Sequence, residues 1–358
     1  MRRYFTITGL TSLFVVAVTI LAAVTPARAT SPPQSAFFST AALESYSTYQ
    51  MSGDGDLWPS CWADDDNLYA ANGDGTAFTS SPTRYDMAVS RIGGAPPNLT
   101  GTTLATNVGT NYSGAGYNRK PTGMVCVGNA MYLAFQNLST DFSSANNAPV
   151  ASIAKSTDHG STWTWDTSAP MFNNHIFTTI FLLDFGKNNA NAIDNYVYAY
   201  GFDNNWRRQQ KMYLARVPST SIQTRSSWQF YTGTDSNGNP TWSSHIGAKI
   251  PVLEDDRLLY STTFGSICGG CGSSPVLGQG GVVYDKPLGR YIFTSWSEES
   301  FEFYEAPHPW GPWNLFLSKD FGLLRLTQNR GLYGTSIPSK FISAAELHSV
   351  NRHLQLRL

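Results

Sequence analysis

Two aspartates carry the most specific chemical suggestion in the chain. Asp56 and Asp74 flank the stretch Leu57-Trp58-Pro59-Ser60-Cys61-Trp62-Ala63-Asp64-Asp65-Asp66-Asn67-Leu68-Tyr69-Ala70-Ala71-Asn72-Gly73. Residues 60–63 read as a short strand, 64–67 as a polar turn and 68–71 as the return strand. The open ends of an antiparallel pair lie side by side. One carboxylate before the first strand and one after the second therefore meet on one rim. Glycoside hydrolysis requires such a pair: one carboxyl protonates the leaving oxygen, the other activates water or attacks the sugar. Aspartate beside glycine is also ordinary turn composition, and composition alone favours that plainer reading. Asp54 is an alternative to Asp56. Asp64, Asp65 and Asp66 lie at the far end of the strands and read as a solvated loop, with calcium binding a minor alternative.

Other chemistries find less support. The six histidines (His159, His175, His245, His308, His348 and His353) show no H-x-x-x-H spacing, so no metal site is expected. His175 lies before an apolar strand, within reach of a pocket, although a loop histidine without a ligand is the simpler reading. No G-x-S-x-G elbow is present. Gly278-Gln279-Gly280-Gly281 leads into a strand and no helix, which excludes a phosphate cradle. No cofactor is expected. Trp58, next to Asp56, is placed to stack on a sugar ring. Lys120, Asp203 and Lys340 lead into or out of strands and are candidate hydroxyl-binding residues, each with a structural ion as the competing reading.

The elements that must position these groups are short strands. Of 358 residues, 41% are hydrophobic, 13% aromatic and 14% charged, with 31 Gly and 19 Pro; that composition favours strands and turns over helices. A net charge of -1 offers nothing to attract nucleic acid or an anionic membrane. The N-terminus reads as an export signal over residues 1–29: Arg2 and Arg3, an apolar run over 13–24, and Ala27-Arg28-Ala29 as a cleavage site. The run is broken by Thr19 and is short for a membrane span. Residues 30–47, rich in Ser, Pro and Ala, read as a tether. In an exported chain Cys61, Cys126, Cys268 and Cys271 can form disulfides; Cys268 and Cys271 are close enough in sequence to bridge locally. Three N-x-S/T sequons begin at Asn98, Asn111 and Asn137.

From residue 48 to 343 a pattern recurs: polar approach, apolar strand, tight turn, second strand. Residues 124–135 repeat it around Gly128-Asn129, a two-residue hairpin signal. Further examples start at Asp194, Gly281 and Ser336. Small antiparallel sheets repeated around an axis make a β-propeller. The expected fold is all-β, a five-bladed β-propeller, with a double-sheet sandwich as the alternative. Ser156-Thr157-Asp158-His159-Gly160-Ser161-Thr162-Trp163 matches the S-x-D-x-G-x-T-W Asp-box, a structural blade hairpin in sialidases and other families. Ser156, Asp158, Gly160 and Trp163 are its structural residues. The arginine cluster and Tyr/Glu pair of a sialidase site find no motif support.

Several segments together resemble a known family. They are residues 56–75, Lys120-Pro121-Thr122-Gly123, Phe185-Gly186-Lys187 with Tyr196-Val197-Tyr198-Ala199-Tyr200-Gly201, and Tyr213-Leu214-Ala215-Arg216-Val217-Pro218. Gly289-Arg290-Tyr291, the run 304–313 ending Trp310-Gly311-Pro312-Trp313, and Pro338-Ser339-Lys340 complete the set. The chain thereby resembles the family of domain of unknown function 4185, whose characterised members fall in glycoside hydrolase family 183, the endo-D-arabinanases. The resemblance implies a five-bladed propeller with an axial site, Asp56 and Asp74 as the catalytic acidic pair, inversion, and an oligosaccharide or polysaccharide partner bound by a monomer. After Ser343 the sequence departs from the family pattern. Residues 344–358 form an atypical tail, which leaves the last blade incomplete and one strand edge unpaired.

Overall fold

The computed structural model describes residues 30–39, 41–43, 53–95, 98–141, 147–259, 274–297, 299–322, 334–342, 347–348 and 355–357. The export signal, residues 44–47 of the tether, and Cys268 with Cys271 lie outside them. Among the described residues every regular element is a strand or a single turn of 3-10 helix. After a short strand β1 (Ala42–Leu43), the first sheet comprises β2 (Asp54–Asp56), β3 (Ser60–Trp62), β4 (Leu68–Ala77), β5 (Tyr85–Ala95) and β6 (Asn98–Thr106); β2 and β3 both pair with β4. The second sheet is the meander β7 (Tyr117–Val127), β8 (Ala130–Ser139) and β9 (Val150–Ser156).

A larger sheet follows. One half contains β10 (Thr179–Asp184), β11 (Tyr196–Phe202), β12 (Lys211–Pro218), β13 (Gln229–Thr234), β14 (Pro240–Ser243) and β15 (Pro251–Glu254). A separate two-stranded pair, β16 (Leu258–Leu259) and β17 (Ser274–Pro275), precedes the other half: β18 (Gly281–Asp285), β19 (Arg290–Trp296), β20 (Ser300–Ala306) and β21 (Asn314–Asp320). The halves join where β10 runs parallel to β18, with Leu183 opposite Val282. Each half is otherwise antiparallel, with β15 returning to pair with β12 in the first.

Five segments, 57–60, 122–124, 181–184, 279–282 and 334–338, line one central cavity. At Gly123, on its wall, the neighbouring backbone comes too close for a side chain. A Cβ on Gly123 would stand 2.7 Å from Leu182 N and 2.7 Å from Phe181 Cα. Over the larger sheet the core is aromatic: Phe181 stacks on Phe293 at 5.6 Å, Phe293 on Tyr304 at 5.8 Å, and Trp313 meets Tyr200 edge-on at 5.8 Å. Trp206, Trp228 and Trp296 are fully enclosed. A disulfide between Cys61 on β3 and Cys126 on β7 ties the first sheet to the second.

The hairpin anticipated at residues 60–71 forms, with Ser60 opposite Ala70 and Trp62 opposite Leu68. Its acidic turn is exposed, as its composition implies, but it is also bonded to distant segments. Asp64 Oδ1 lies 2.8 Å from His159 Nε2. Asp65 accepts from the Tyr69 hydroxyl at 2.6 Å. Asp66 accepts from Lys187 Nζ at 3.1 Å and Trp62 Nε1 at 2.9 Å, and its carbonyl contacts Lys340 Nζ. The turn is thus pinned to the second sheet, to the loop after β10 and to the segment after 338. His159 sits in the turn 156–163, where Ser156 Oγ and both Asp158 oxygens gather the turn's donors: Gly160 N–H at 2.9 Å to Ser156, and Thr162 N–H and hydroxyl at 2.9 and 2.6 Å to Asp158. The Thr162 hydroxyl, then its N–H, holds the Asp158 carboxyl down at about 2.

The His159–Asp64 pair gives a pH signature. The hydrogen bond to Asp64 raises the His159 pKa above 6.5, and the same bond lowers Asp64 below 3.8. The histidine's contribution is full below its ordinary value and fades as pH rises through the raised one. The aspartate's contribution is present above 3.8 and fades as pH falls through the lowered one. The pair is strongest between those limits. Both side chains are nearly half exposed, at 47% and 45%, so the contribution is below ~1 kcal/mol and is screened by salt. Wild-type protein is expected to lose slightly more stability than His159→Gln between pH 5.5 and 8, read as thermal midpoints at low salt. Parallel pH profiles would contradict the pairing.

Residues near the N-terminus add to the core, where Phe38 and Ala41 pack beside Phe303 and Ile337. Residues 33–35, which composition reads as tether, lie along β21: Ser35 N donates to Leu315 O and Leu315 N to Pro33 O, each at 2.8 Å. Near the C-terminus, β22 (Leu347–His348) and β23 (Gln355–Arg357) pair with each other, and β23 pairs with β1. Residues 347–348 and 355–357 of the atypical tail therefore form strands in a small sheet with β1.

Candidate active site

The site is built by an irregular pairing of β2 with β4. Asp54 lies opposite Ala77 and Asp56 opposite Gly73. Two steps along β2 (56 − 54) thus face four along β4 (77 − 73). The surplus residues bow out as a bulge, which re-aims side chains. Asp74 sits in it with φ of 43°. On the other strand Leu57 and Trp58 also take positive φ, 73° and 49°. Each such residue costs about 1–3 kcal/mol of strain and persists only where its surroundings hold it. Arg84 supplies part of that hold, since it donates to Asp54 Oδ2 at 2.9 Å and also contacts the Asp74 carbonyl. Asp54 further accepts from Thr76 N–H at 3.1 Å. Asp54 is therefore held as a clamp residue.

Lys120 enters between the two carboxylates from β7. Its Nζ contacts Asp74 Oδ2 and stands 3.9 Å from Asp56 Oδ1. Its side chain is only 5% exposed, against 23% for Asp56 and 44% for Asp74. A buried ammonium is tolerable only with anionic partners, and here it has two. The preceding residue fixes its position: Arg119 grips Asp86 through Nε and Nη2, both at 2.7 Å, while its own N–H donates to Asp86 at 3.1 Å. Gly73 makes room. A methyl group there would overlap Asp56 Oδ1 and lie 3.2 Å from Lys120 Cδ.

The structure thus gathers three of the residues singled out in the sequence, Asp56, Asp74 and Lys120, and separates the rest. Trp58 is 5% exposed, packs edge-on against Phe78 at 5.6 Å and donates its indole N–H to Gly55 O at 3.1 Å. It is core, which removes it as a sugar-stacking platform. Asp203 follows a strand linked indirectly to that of Lys120: Phe202 pairs with Thr179, Thr179 donates to Gln136 at 2.7 Å, and Gln136 lies opposite Lys120. Yet Asp203 is engaged by Lys249 Nζ at 2.9 Å and Phe177 N–H at 2.7 Å. Lys340 is at the opposite end of the hairpin, on Asp66 and 5.7 Å over the Trp62 ring. Residues 334–338 run along the cavity, so Lys340 emerges at the far mouth. His175, with φ of 61°, is a backbone junction: its N–H donates to Pro149 O at 3.1 Å and its carbonyl accepts from Asn204 at 2.7 Å.

Three supporting residues escaped sequence reasoning: Gly73, Arg84 and Asp86. Arg119 escaped it too. Its position directly before a lysine aimed at carboxylates was the available signal. Among the described residues a separate group of possible ligands, Asp64, Asp65 and His159, lies at the other end of the hairpin. All three are exposed and already engaged with one another or with Tyr69 and Asn67.

A family model for the domain of unknown function DUF4185 matches residues 55–344. The chain belongs to that family. The match includes all of Asp56, Gly73, Asp74, Arg84, Arg119 and Lys120. No curated protein matches this DUF4185 chain. Among solved structures its fold is similar to that of a candidate hydrolase from Bacteroides ovatus ATCC 8483, with 14% identity over 87% of this chain and 86% of that one and a TM-score of 0.50. A GH43 beta-xylosidase/alpha-arabinofuranosidase from a compost microbial metagenome shows 12% identity over 89% of this chain and 94% of that one, with a TM-score of 0.48. The GH43_1 enzyme from Xanthomonas citri shows 12% identity over 83% and 81%, with a TM-score of 0.43. At these identities the likeness describes the fold alone.

Proposed function

We propose that this DUF4185 protein is an exported glycoside hydrolase that cleaves a furanose-containing, arabinan-like polysaccharide with Asp56 and Asp74. The observation that carries the reading is the shared ammonium: two aspartates from opposite sides of a bulged strand pair converge on one buried lysine. One carboxyl protonates the leaving oxygen and the other activates water, the inverting scheme; with a shorter carboxyl separation the second attacks the sugar directly. Lys120 makes its close contact with Asp74 and stands farther from Asp56, so the two carboxyls have unlike surroundings, as acid and base must. The five segments around the central cavity support a five-bladed propeller, whose axial mouth would then hold the site. The resemblance to endo-D-arabinanases supports the substrate class. The test is release of new reducing ends from arabinan and other furanose polysaccharides. Binding of these glycans with no new reducing ends would favour a non-catalytic carbohydrate-binding role.

Lys120 is expected to matter for turnover more than for folding. Lys120→Met leaves two like charges adjacent, but both carboxylates reach water, which limits the structural cost. Hydrolysis should fall by roughly two orders of magnitude, as for loss of one preorganised electrostatic partner. The unfolding midpoint should move little. Kinetics on soluble oligosaccharide, read beside a urea titration, checks both, and undiminished turnover would remove Lys120 from the site.

A further inference from the structure

Thr30 directly follows Ala27-Arg28-Ala29 in the sequence. Thr30 is exposed, and its main-chain nitrogen is aimed at a carboxylate. Its N–H donates to Asp256 Oδ2 at 3.0 Å and its hydroxyl to the same oxygen at 2.8 Å. Asp256 N–H donates back to Thr30 O at 2.8 Å. Glu254 Oε2 lies 3.5 Å from the Thr30 hydroxyl. The nearby cations do not balance these acids. Lys211 Nζ stands 3.5 Å from Glu254. Arg257 is committed to Asp255 at 2.6 Å and Glu302 at 2.9 Å, both fully buried. Two carboxylates and one ammonium leave one negative charge over, beside the Thr30 nitrogen. The contact also begins the strap 33–35 that extends the sheet at β21.

We propose that the Ala29–Thr30 peptide bond is the processing site, and that the α-ammonium it liberates on Thr30 docks on Asp256 as the anchor of this strap. A leader peptidase hydrolyses the amide with one water. The carbonyl side leaves as the Ala29 carboxylate on the released leader, and the Thr30 nitrogen keeps its electron pair and is protonated to the ammonium. The neutral N–H donor becomes a charged one at the same distance, and charge-assisted bonds are about twice as strong as neutral ones. Thr30 N–H is already the main cause that holds the Asp256 carboxyl below its ordinary range. Processing thus completes the charge balance of the site where the strap begins.

The test uses the full chain expressed in a secreting host, with intact mass and N-terminal sequencing. It then measures acylation of the α-amine at pH 7 by an amine-reactive ester, in wild type and in Asp256→Asn. The expected mature chain begins at Thr30. Its α-amine should react about two- to fivefold more slowly than in Asp256→Asn, the range of an exposed ion pair. Circular dichroism checks that Asp256→Asn, a change at a partly buried position, is folded. A different N-terminus, an unprocessed chain, or equal acylation rates would overturn the proposal. Neither readout depends on glycan hydrolysis.

Discussion

Asp56→Asn and Asp74→Asn are each expected to lower polysaccharide hydrolysis by at least about a thousandfold, equivalent to roughly 4 kcal/mol of barrier, while leaving the fold intact. Asparagine preserves the shape of aspartate but can neither carry the transferred proton nor activate water. The structural cost is small because both side chains reach water, at 23% and 44% exposure. Glycan binding should survive in both variants, since asparagine keeps the size of aspartate and can still hydrogen-bond a hydroxyl. Asp54→Asn is the internal control. That carboxylate is held by Arg84 and Thr76, so its loss loosens the bulge without removing a proton-transfer group, and a milder defect is expected. Steady-state rates of reducing-end release for the three variants decide the matter. Full activity in both Asp56→Asn and Asp74→Asn would sink the assignment.

The largest effect on stability is expected from the disulfide. Cys61 and Cys126 are 65 residues apart and both are buried. Closing a loop of that length constrains the unfolded chain by about 4 kcal/mol in the chain-entropy account. The bond also links β3 to β7, the two strands that carry the hairpin and Lys120. Cys61→Ala with Cys126→Ala avoids burying unpaired hydroxyl groups and adds a modest cavity cost. The urea midpoint should drop by roughly 1–2 M. Activity at 25 °C should fall less than in the aspartate variants, because the carboxylates and Lys120 remain. Coincident urea curves for wild type and the double variant would contradict this ranking.

What was legible in the sequence was mostly local. The alternation of residues 60–71 and the polar turn between them specify a hairpin whatever the chain does elsewhere. Its geometry places residues before and after it on one rim, which is why Asp56 and Asp74 were found together. The Gly128-Asn129 turn was legible for the same reason. The partners of the acidic turn were not. Asp64 is bonded to a residue 95 positions away, and Asp66 to residues 121 and 274 positions away; no local pattern encodes such pairings. An acidic run without neighbours reads as solvated, and it becomes a junction only when three other segments arrive. Lys340 misled for a related reason. Its motif placed it beside the cavity, but the direction of 334–338 decides which mouth it occupies. Trp58 misled because composition cannot separate a buried indole from an exposed one. The bulge that turns Asp74 toward Lys120 was illegible as well, since register slips depend on the whole sheet.

The central claim is that the rim bearing Asp56, Asp74 and Lys120 breaks glycosidic bonds. Its most direct measurement pairs two readings on one preparation of wild-type protein with a furanose polysaccharide: equilibrium binding, and new reducing ends over time. The account predicts binding together with steady accumulation of reducing ends, and binding without accumulation in Asp56→Asn. Saturable binding by the wild type with no reducing ends formed would contradict it.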